Sequence, residues 1–228
     1  MSGGHAERSR RLLYGRRKGP KLSAHQQHLL NHLLPTLELR LRADADPLRY
    51  FSRSLDDVRL EVGFGGGEHL VWQAQHYPNI GLIGAEPYVN GVVKLLSQLE
   101  SGPPPNIRIY TGDGRDILDA LPDASLGRAF ILFPDPWPKT RHHRRRFIQM
   151  NTLDQLARVM KPGAELRFAS DDPGYVEWTL ERLMAHPAFA WTATRSSDWH
   201  TRPADWPTTR YEAKQLHGKP AFLTFRLR

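Results

Sequence analysis

Cysteine is absent from this chain of 228 residues. That excludes disulfides, thiolate metal sites, iron–sulfur clusters and cysteine nucleophiles together. Carboxylates, histidines, lysines or a bound organic molecule must carry any chemistry. Long apolar runs are missing too: nothing nears the roughly 18 residues that cross a bilayer. The opening twenty residues lack the apolar core of a signal peptide. A soluble, cytoplasmic protein with no membrane partner is the expectation. Acids are the minority, 24 Asp and Glu against 32 Lys and Arg, for a net charge of +8. Hydrophobic residues at 39% and charged residues at 25% give a globular rather than a disordered balance. The length suits one α/β domain with a full core.

The surplus of cations is clustered. Arg8, Arg10, Arg11, Arg16, Arg17, Lys18 and Lys21 crowd the N-terminus, and Arg141, Arg144, Arg145 and Arg146 crowd a second stretch around His142 and His143. Clustering favours a polyanion partner over solubility alone. Residues 1–22 read as a basic, flexible arm and 23–228 as a single domain. His25, His28 and His32 share helical spacing but have no acidic or cysteine company, so no metal is expected.

From Ser23 a helix is expected, with Leu29, Leu30, Leu33 and Leu34 on one face. An alternation begins near Val58. Strands are expected at 58–62, 80–85, 107–110, 129–133 and 165–169, and late ones at 189–194 and 221–227. Helices are expected at 68–77, 89–99, 116–121 and 175–185. Another is expected at 145–160, closed by the stop signal Lys161-Pro162-Gly163. Such alternation implies a Rossmann-like, doubly wound, mostly parallel seven-stranded sheet with helices on both faces. Ligands then sit beyond the carboxyl ends of the strands. The long loop from Ser196 to Arg210, holding Trp199 and Trp206, is a candidate functional loop.

Four carboxylates recur where this fold places its site. Glu61 opens Glu61-Val62-Gly63-Phe64-Gly65, Glu86 ends the second strand, Asp113 follows the third and Asp135 follows the fourth. The glycine loop alone also suits an NAD fingerprint with Glu86 on the ribose. However, that fingerprint started at Gly63 needs glycine at 68, where Glu68 stands, and Glu61 places a negative charge beside the would-be pyrophosphate. S-adenosylmethionine, without phosphate and with a cationic sulfonium and ammonium, fits better. Glu61 then acts near the positive end, Glu86 accepts the ribose hydroxyls, and Asp113 meets the adenine amino group. Gly63 and Gly65 allow close backbone approach.

The segment Pro134-Asp135-Pro136-Trp137-Pro138-Lys139, followed by the basic run, closely resembles the bacterial tRNA (guanine-N7-)-methyltransferase family. The likeness takes in the glycine loop, Gly84-Ala85-Glu86, Gly112-Asp113, Ser170-Asp171 and Thr209-Arg210-Tyr211-Glu212, from about residue 50 to the C-terminus. It implies an enzyme that moves a methyl group from S-adenosylmethionine to N7 of a variable-loop guanine in tRNA. The resemblance makes Glu61, Glu86, Asp113 and Asp135 cofactor contacts and Asp135 the active-site residue. Lys139, Asp171, Thr209, Arg210, Tyr211 and Glu212 become substrate contacts, with Glu212 a reader of guanine's N–H groups. Arg141, His142, His143, Arg144, Arg145 and Arg146 face RNA. No obligatory protein partner is implied; the expectation is a monomer or weak homodimer.

Guanine N7 has a free lone pair, so direct transfer needs no strong base. Asp135, stiffened by its flanking prolines, is expected to orient base and cofactor. Trp137 either packs in the core or stacks on the base. Asp171-Asp172 also suits a helix cap. The basic run at an expected helix start is unfavourable by roughly 0.3–1 kcal/mol per cation, which a bound phosphate offsets. A methyltransferase for another RNA base, a non-catalytic RNA-binding module and an NAD-linked oxidoreductase remain the alternatives.

Overall fold

The computed structural model describes residues 13–15, 17–214 and 217–228. Arg8, Arg10, Arg11 and Arg16 of the N-terminal cluster lie outside them. Ser23 caps α1 (Ala24–His32) through a capping box with Gln26, and α2 (Leu34–Leu37) follows. The alternation is then β1 (Asp57–Val62), α3 (Glu68–His76), β2 (Ile80–Ala85), α4 (Val89–Leu99), β3 (Ile107–Tyr110), α5 (Gly114–Ala120) and β4 (Leu126–Leu132). It continues with α6 (Met150–Val159), β5 (Met160–Ser170), α7 (Pro173–Ala185), β6 (Phe189–Trp191), α8 (Ser197–His200), α9 (Arg210–Lys214) and β7 (Ala221–Leu227).

The seven strands lie in the order β3-β2-β1-β4-β5-β7-β6. Only β7 runs against its neighbours. The chain winds outward from β1 to β3 and then returns to β4, so the order reverses between β1 and β4. A crevice opens there at the carboxyl ends, where open α/β sheets bind ligands.

Side chains alternate across the sheet. Leu60, Ile83, Ala129, Ile131, Leu166 and Phe168 join α5, α6 and α7 in the main core. On the other face Leu82, Ile107 and Ile109 meet α1, α3 and α4. The β4–β5–β7 half of that second face is filled by a loop residue, Trp206, packed with Phe130, Leu132, Ala169 and Phe222.

Two expectations are corrected. The helix expected at 145–160 begins only at Met150, and the basic run forms its own 3-10 turn at Thr140–Arg145. Arg146 breaks the path: its backbone is extended, and its buried guanidinium donates to the carbonyls of Pro136 (2.8 Å) and Gly174 (3.1 Å). Gln149 donates to the carbonyls of His143 and Arg146, which holds the break open. The helix-dipole cost for these cations therefore does not arise. Second, the helix does stop before Lys161-Pro162-Gly163, but the strand expected at 165–169 starts earlier than those residues suggest. Strand β5 begins at Met160, directly after α6, and the three residues form a bulge within it, where pairing jumps from Leu126↔Met160 to Arg128↔Glu165. Gly163 takes the left-handed φ of +79° that the bulge needs.

Among the described residues no helix is long and apolar enough to cross a membrane, and no His/Asp/Glu group is arranged to hold a metal. His25 instead lies 3.1 Å from Glu100.

Candidate active site

A cavity of about 450 Å³ opens at the β1/β4 crevice, a size typical of small-molecule sites (~300–1,000 Å³). Gly63, Gly65, Glu86, Asp135, Trp137 and Arg145 line it. Gly63 and Gly65 have φ of +75° and +56°, a backbone that other residues adopt only with strain. The turn they make aims the Gly65 N–H at Glu86 Oε2 (2.8 Å). Tyr88 N–H donates to Oε1 (2.9 Å). Each oxygen keeps acceptor capacity toward the cavity. Burial pushes the Glu86 carboxyl up to about 7, against those two hydrogen bonds, and the charges of Asp135 and Glu61 add to the rise.

Asp135 faces the same cavity from the loop after β4. The protein walls around it raise its carboxyl above the ordinary range. Its loop is strained: Phe133 and Trp137 both have positive φ, +49° and +47°, at a cost of order 1–3 kcal/mol each. Two bonds hold the strain in place. Phe133 N–H donates to Ala169 O (2.7 Å), and Arg146 Nε donates to Pro136 O. Trp137 is part-exposed at the cavity, with Arg145 over its ring at 4.9 Å, so it is not a core residue.

Glu61 and Asp113 sit one residue behind the lining. Glu61 Oε2 lies 2.7 Å from His69 Nδ1, and both side chains are buried. Asp113 caps α5 and accepts from Arg115 Nε (2.9 Å) and Nη2; Arg115, not Asp113, lines the cavity.

The basic turn stands at the rim. Lys139, Arg141 and Arg144 are exposed, His142 and His143 half-buried. Desolvation and the charges of Arg145, Arg141 and Lys139 push the His142 imidazole below its usual range. Arg145 lies between the rings of Tyr14 and Trp137, 4.9 Å from each, and its Nε is buried with no partner among the described residues. Arg146 is the correction. It is 3% exposed, stacked on Tyr175 and Trp178, and spent on two carbonyls, so it does not face outward.

The other substrate candidates lie off the cavity lining. Asp171 accepts from His217 N–H (3.1 Å), and the cap of α7 is Asp172. Thr209 is buried and accepts from Glu212 N–H. Arg210 is exposed; the Tyr211 side chain lies outside the described set. Glu212 Oε1 meets Arg202 Nε at 3.1 Å, while its Oε2 is buried without a partner among the described residues.

The sequence reading missed Tyr14 and Gly15, which line the cavity beside Asp135. Their segment is pinned to α4: Val89 N–H donates to Arg17 O, Gly19 N–H to Asn90 Oδ1 and Asn90 Nδ2 to Pro20 O. Composition marks this stretch only as basic, and no local signal places it against a strand end 120 residues away.

A family model described as "Putative methyltransferase" matches residues 56–223. A tRNA (guanine-N(7)-)-methyltransferase of Rhodospirillum rubrum is 54% identical over 222 residues, covering 94% of this chain and 87% of that one. One from Chelativorans is 46% identical over 229 residues, covering 99% of both. The chain belongs to the tRNA (guanine-N(7)-)-methyltransferase family. Among solved structures the 16S rRNA methyltransferase KamB is similar with a TM-score of 0.54 at 16% identity, over 84% of this chain and 97% of that one. At that identity the likeness is one of fold. Family membership makes the β1/β4 cavity the place to seek a methyl donor, and Glu86 is the acid there whose two oxygens are already set.

Proposed function

We propose that the chain transfers a methyl group from S-adenosylmethionine to N7 of a guanine in the variable loop of tRNA, giving 7-methylguanosine. The cavity carries this reading: Glu86 and Asp135, two acids without a cation partner among the described residues, share one crevice whose rim is a basic turn. When bound, the cofactor supplies an electrophilic methyl on a positively charged sulfur; the N7 lone pair forms the new C–N bond as the C–S bond breaks, and no proton leaves. The chain must therefore position and balance charge rather than act as a strong base.

Glu86 offers one free acceptor per oxygen to a ribose diol. Glu61, from behind Val62, contributes its field at the positive end, and Asp113 holds Arg115 against the cavity wall. Asp135 supports the positive charge as it passes from sulfur to base. Arg145 brings an N–H and Glu212 a carboxylate oxygen that have no partner among the described residues. Guanine has the matching edge, an O6 acceptor beside an N1–H donor. Lys139, Asp171, Thr209, Arg210 and Tyr211 complete the substrate contacts, and Arg141, His142, His143 and Arg144 meet the tRNA backbone.

The test is incubation with unmodified tRNA and labelled S-adenosylmethionine, followed by mass spectrometry of the nucleosides. Label in 7-methylguanosine is expected. Label in another nucleoside, or none, overturns the reading.

A further inference from the structure

The reaction as described makes no use of a belt of charge beneath the loop between α8 and α9. On the second sheet face β4 presents Arg128, and β5 presents Glu165 and Arg167. Arg59 of β1 pairs in register with Arg128, and Arg226 of β7 with Glu165. Arg128, Arg167 and Arg226 thus share one glutamate, and Arg128 and Arg167 repel one another. The second acid comes from the loop. Asp205 Oδ1 lies 2.6 Å from Arg167 Nη1, and Oδ2 lies 3.2 Å from Arg128 Nη1. The Asp205 carbonyl also accepts from Gln73 Nε2 of α3 (2.8 Å).

The adjoining residue, Trp206, is 4% exposed. It packs on Phe222 and stands edge-on to His69, at 5.5 and 5.6 Å between centroids. His69 in turn holds Glu61. Arg202 closes the other side, donating to the Trp206 carbonyl (2.9 Å) and meeting Glu212 at 3.1 Å. A single anchor therefore ties the sheet and the β1 acid to the segment that carries Thr209 and Glu212.

A loop that only covered an apolar sheet half would do as well with apolar side chains, because half-buried ion pairs give little net stability over well-packed hydrophobics. Paired charges with fixed partners add orientation. We propose that Asp205 is a positioning residue: it fixes the register of the late loop on the sheet, so that Glu212, gripped through Arg202, presents its free oxygen to the substrate guanine. This rests on the tRNA-methylation reading above.

The test compares Asp205→Asn and Asp205→Glu with the parent enzyme in three measurements: kcat/KM for unmodified tRNA, the Kd of S-adenosylhomocysteine by calorimetry, and Tm. Asp205→Asn is expected to lower kcat/KM for tRNA by roughly 10-fold or more, below the scale for one side of a fully buried charge pair because Asp205 is half-buried. The cofactor-product Kd should stay within about twofold, and Asp205→Glu should recover most of the loss. Gln73→Leu removes the donor to the Asp205 carbonyl, and with it the acceptor of Arg59 Nη1 (2.7 Å), and should shift kcat/KM the same way by a smaller factor. In the double variant Asp205→Asn, Arg167→Met, the loss should not exceed that of either single change. Normal tRNA kinetics in Asp205→Asn, an equal fall in both affinities, or multiplying single losses would each overturn the proposal. Should Asp205→Asn fail to fold, Gln73→Leu with parental tRNA kinetics would overturn it instead. If the parent itself makes no 7-methylguanosine, the function falls. If it does and Asp205→Asn is unaffected, only this inference falls.

Discussion

Two groups of acids lie about one sheet, and they are treated in opposite ways. Glu86 and Asp135 face the cavity, and neither has an ion pair among the described residues; desolvation raises both carboxyls. Glu165 and Asp205 lie in the belt below the late loop, and both are gripped by arginine. Burial would raise them too, but Arg167 and Arg128 outweigh it and hold both below the ordinary range. Asp113, locked to Arg115, belongs with the paired group although it stands at a strand end beside the cavity. A buried charge without a partner costs stability, and folds retain such groups chiefly where a ligand will meet them. The pairing state, more than the position at a strand end, therefore separates Glu86 and Asp135, which stay open to a ligand, from Glu165, Asp205 and Asp113, which do not; Glu212 combines the two, with Arg202 on Oε1 and no partner among the described residues on Oε2.

The largest expected effect breaks this contrast at Asp135. Asp135→Ala should lower kcat roughly 100-fold or more, the scale of removing one preorganised electrostatic contact, while Tm stays near the parent's because Asp135 is exposed at the cavity and has no partner among the described residues. Single-turnover methylation and calorimetric melting check it. Near-parental turnover would remove Asp135 from the chemistry.

Glu86 sharpens the contrast through pH. Its folded pKa, about 7, lies above the ordinary 4.5. The stability of its neutral form is thus full below 4.5 and lost as pH rises through about 7. Asp205 behaves oppositely: its pKa is depressed, so its contribution is present above the ordinary 3.8 and lost as pH falls. Ligand-free Glu86→Gln should therefore melt higher than the parent at pH 8, with the gap closing toward pH 5. If ribose hydroxyls bind the ionised form, cofactor binding at pH 6.5 must release a proton. The measured enthalpy should then vary with the ionisation enthalpy of the buffer, and that variation should vanish in Glu86→Gln. Glu86→Gln should also weaken binding about tenfold, the worth of one charge-assisted hydrogen bond. A buffer-independent enthalpy in the parent would contradict the assignment.

The same division shows what a reader of the bare sequence can see. Residues 80–85, 89–99, 107–110 and 221–227 take the secondary structure expected of them, since apolar alternation and helical spacing are local properties. The four strand-end acids were legible because a parallel sheet puts every strand's carboxyl end on one edge. Which of them is paired was not: His69 reaches Glu61 from the far side of the glycine turn, and Arg115 folds back on Asp113. Asp205 is a single acid in an irregular loop, and its partners are 77 and 38 residues away in sequence. Tyr14 was hidden for the same reason. Contacts over such separations depend on the assembled sheet and leave no periodic trace.

The smallest effects test the contrast on the cationic side, where Arg144 and Arg146 stand two residues apart in one run. A composition argument treats them alike. The structure leaves Arg144 exposed on the rim and buries Arg146 between two carbonyls and two rings. Arg144→Ala, alone or with Arg141→Ala, should change stability by no more than about 0.5 kcal/mol. It should reduce the slope of log affinity for tRNA against log salt by about one unit per lost phosphate contact. Arg146→Ala should instead lower stability by about 2 kcal/mol or more, because the Pro136 and Gly174 carbonyls lose their donor and the two rings their neighbour. Its salt slope should match the parent's, since a guanidinium spent on protein carbonyls releases no counterion from RNA. Any activity that Arg146→Ala loses should come through the Asp135 loop, whose strained backbone it braces at Pro136. Equal salt slopes for the Arg144 and Arg146 variants would mean that the run acts as undivided charge, and that burial at Arg146 does not decide its role.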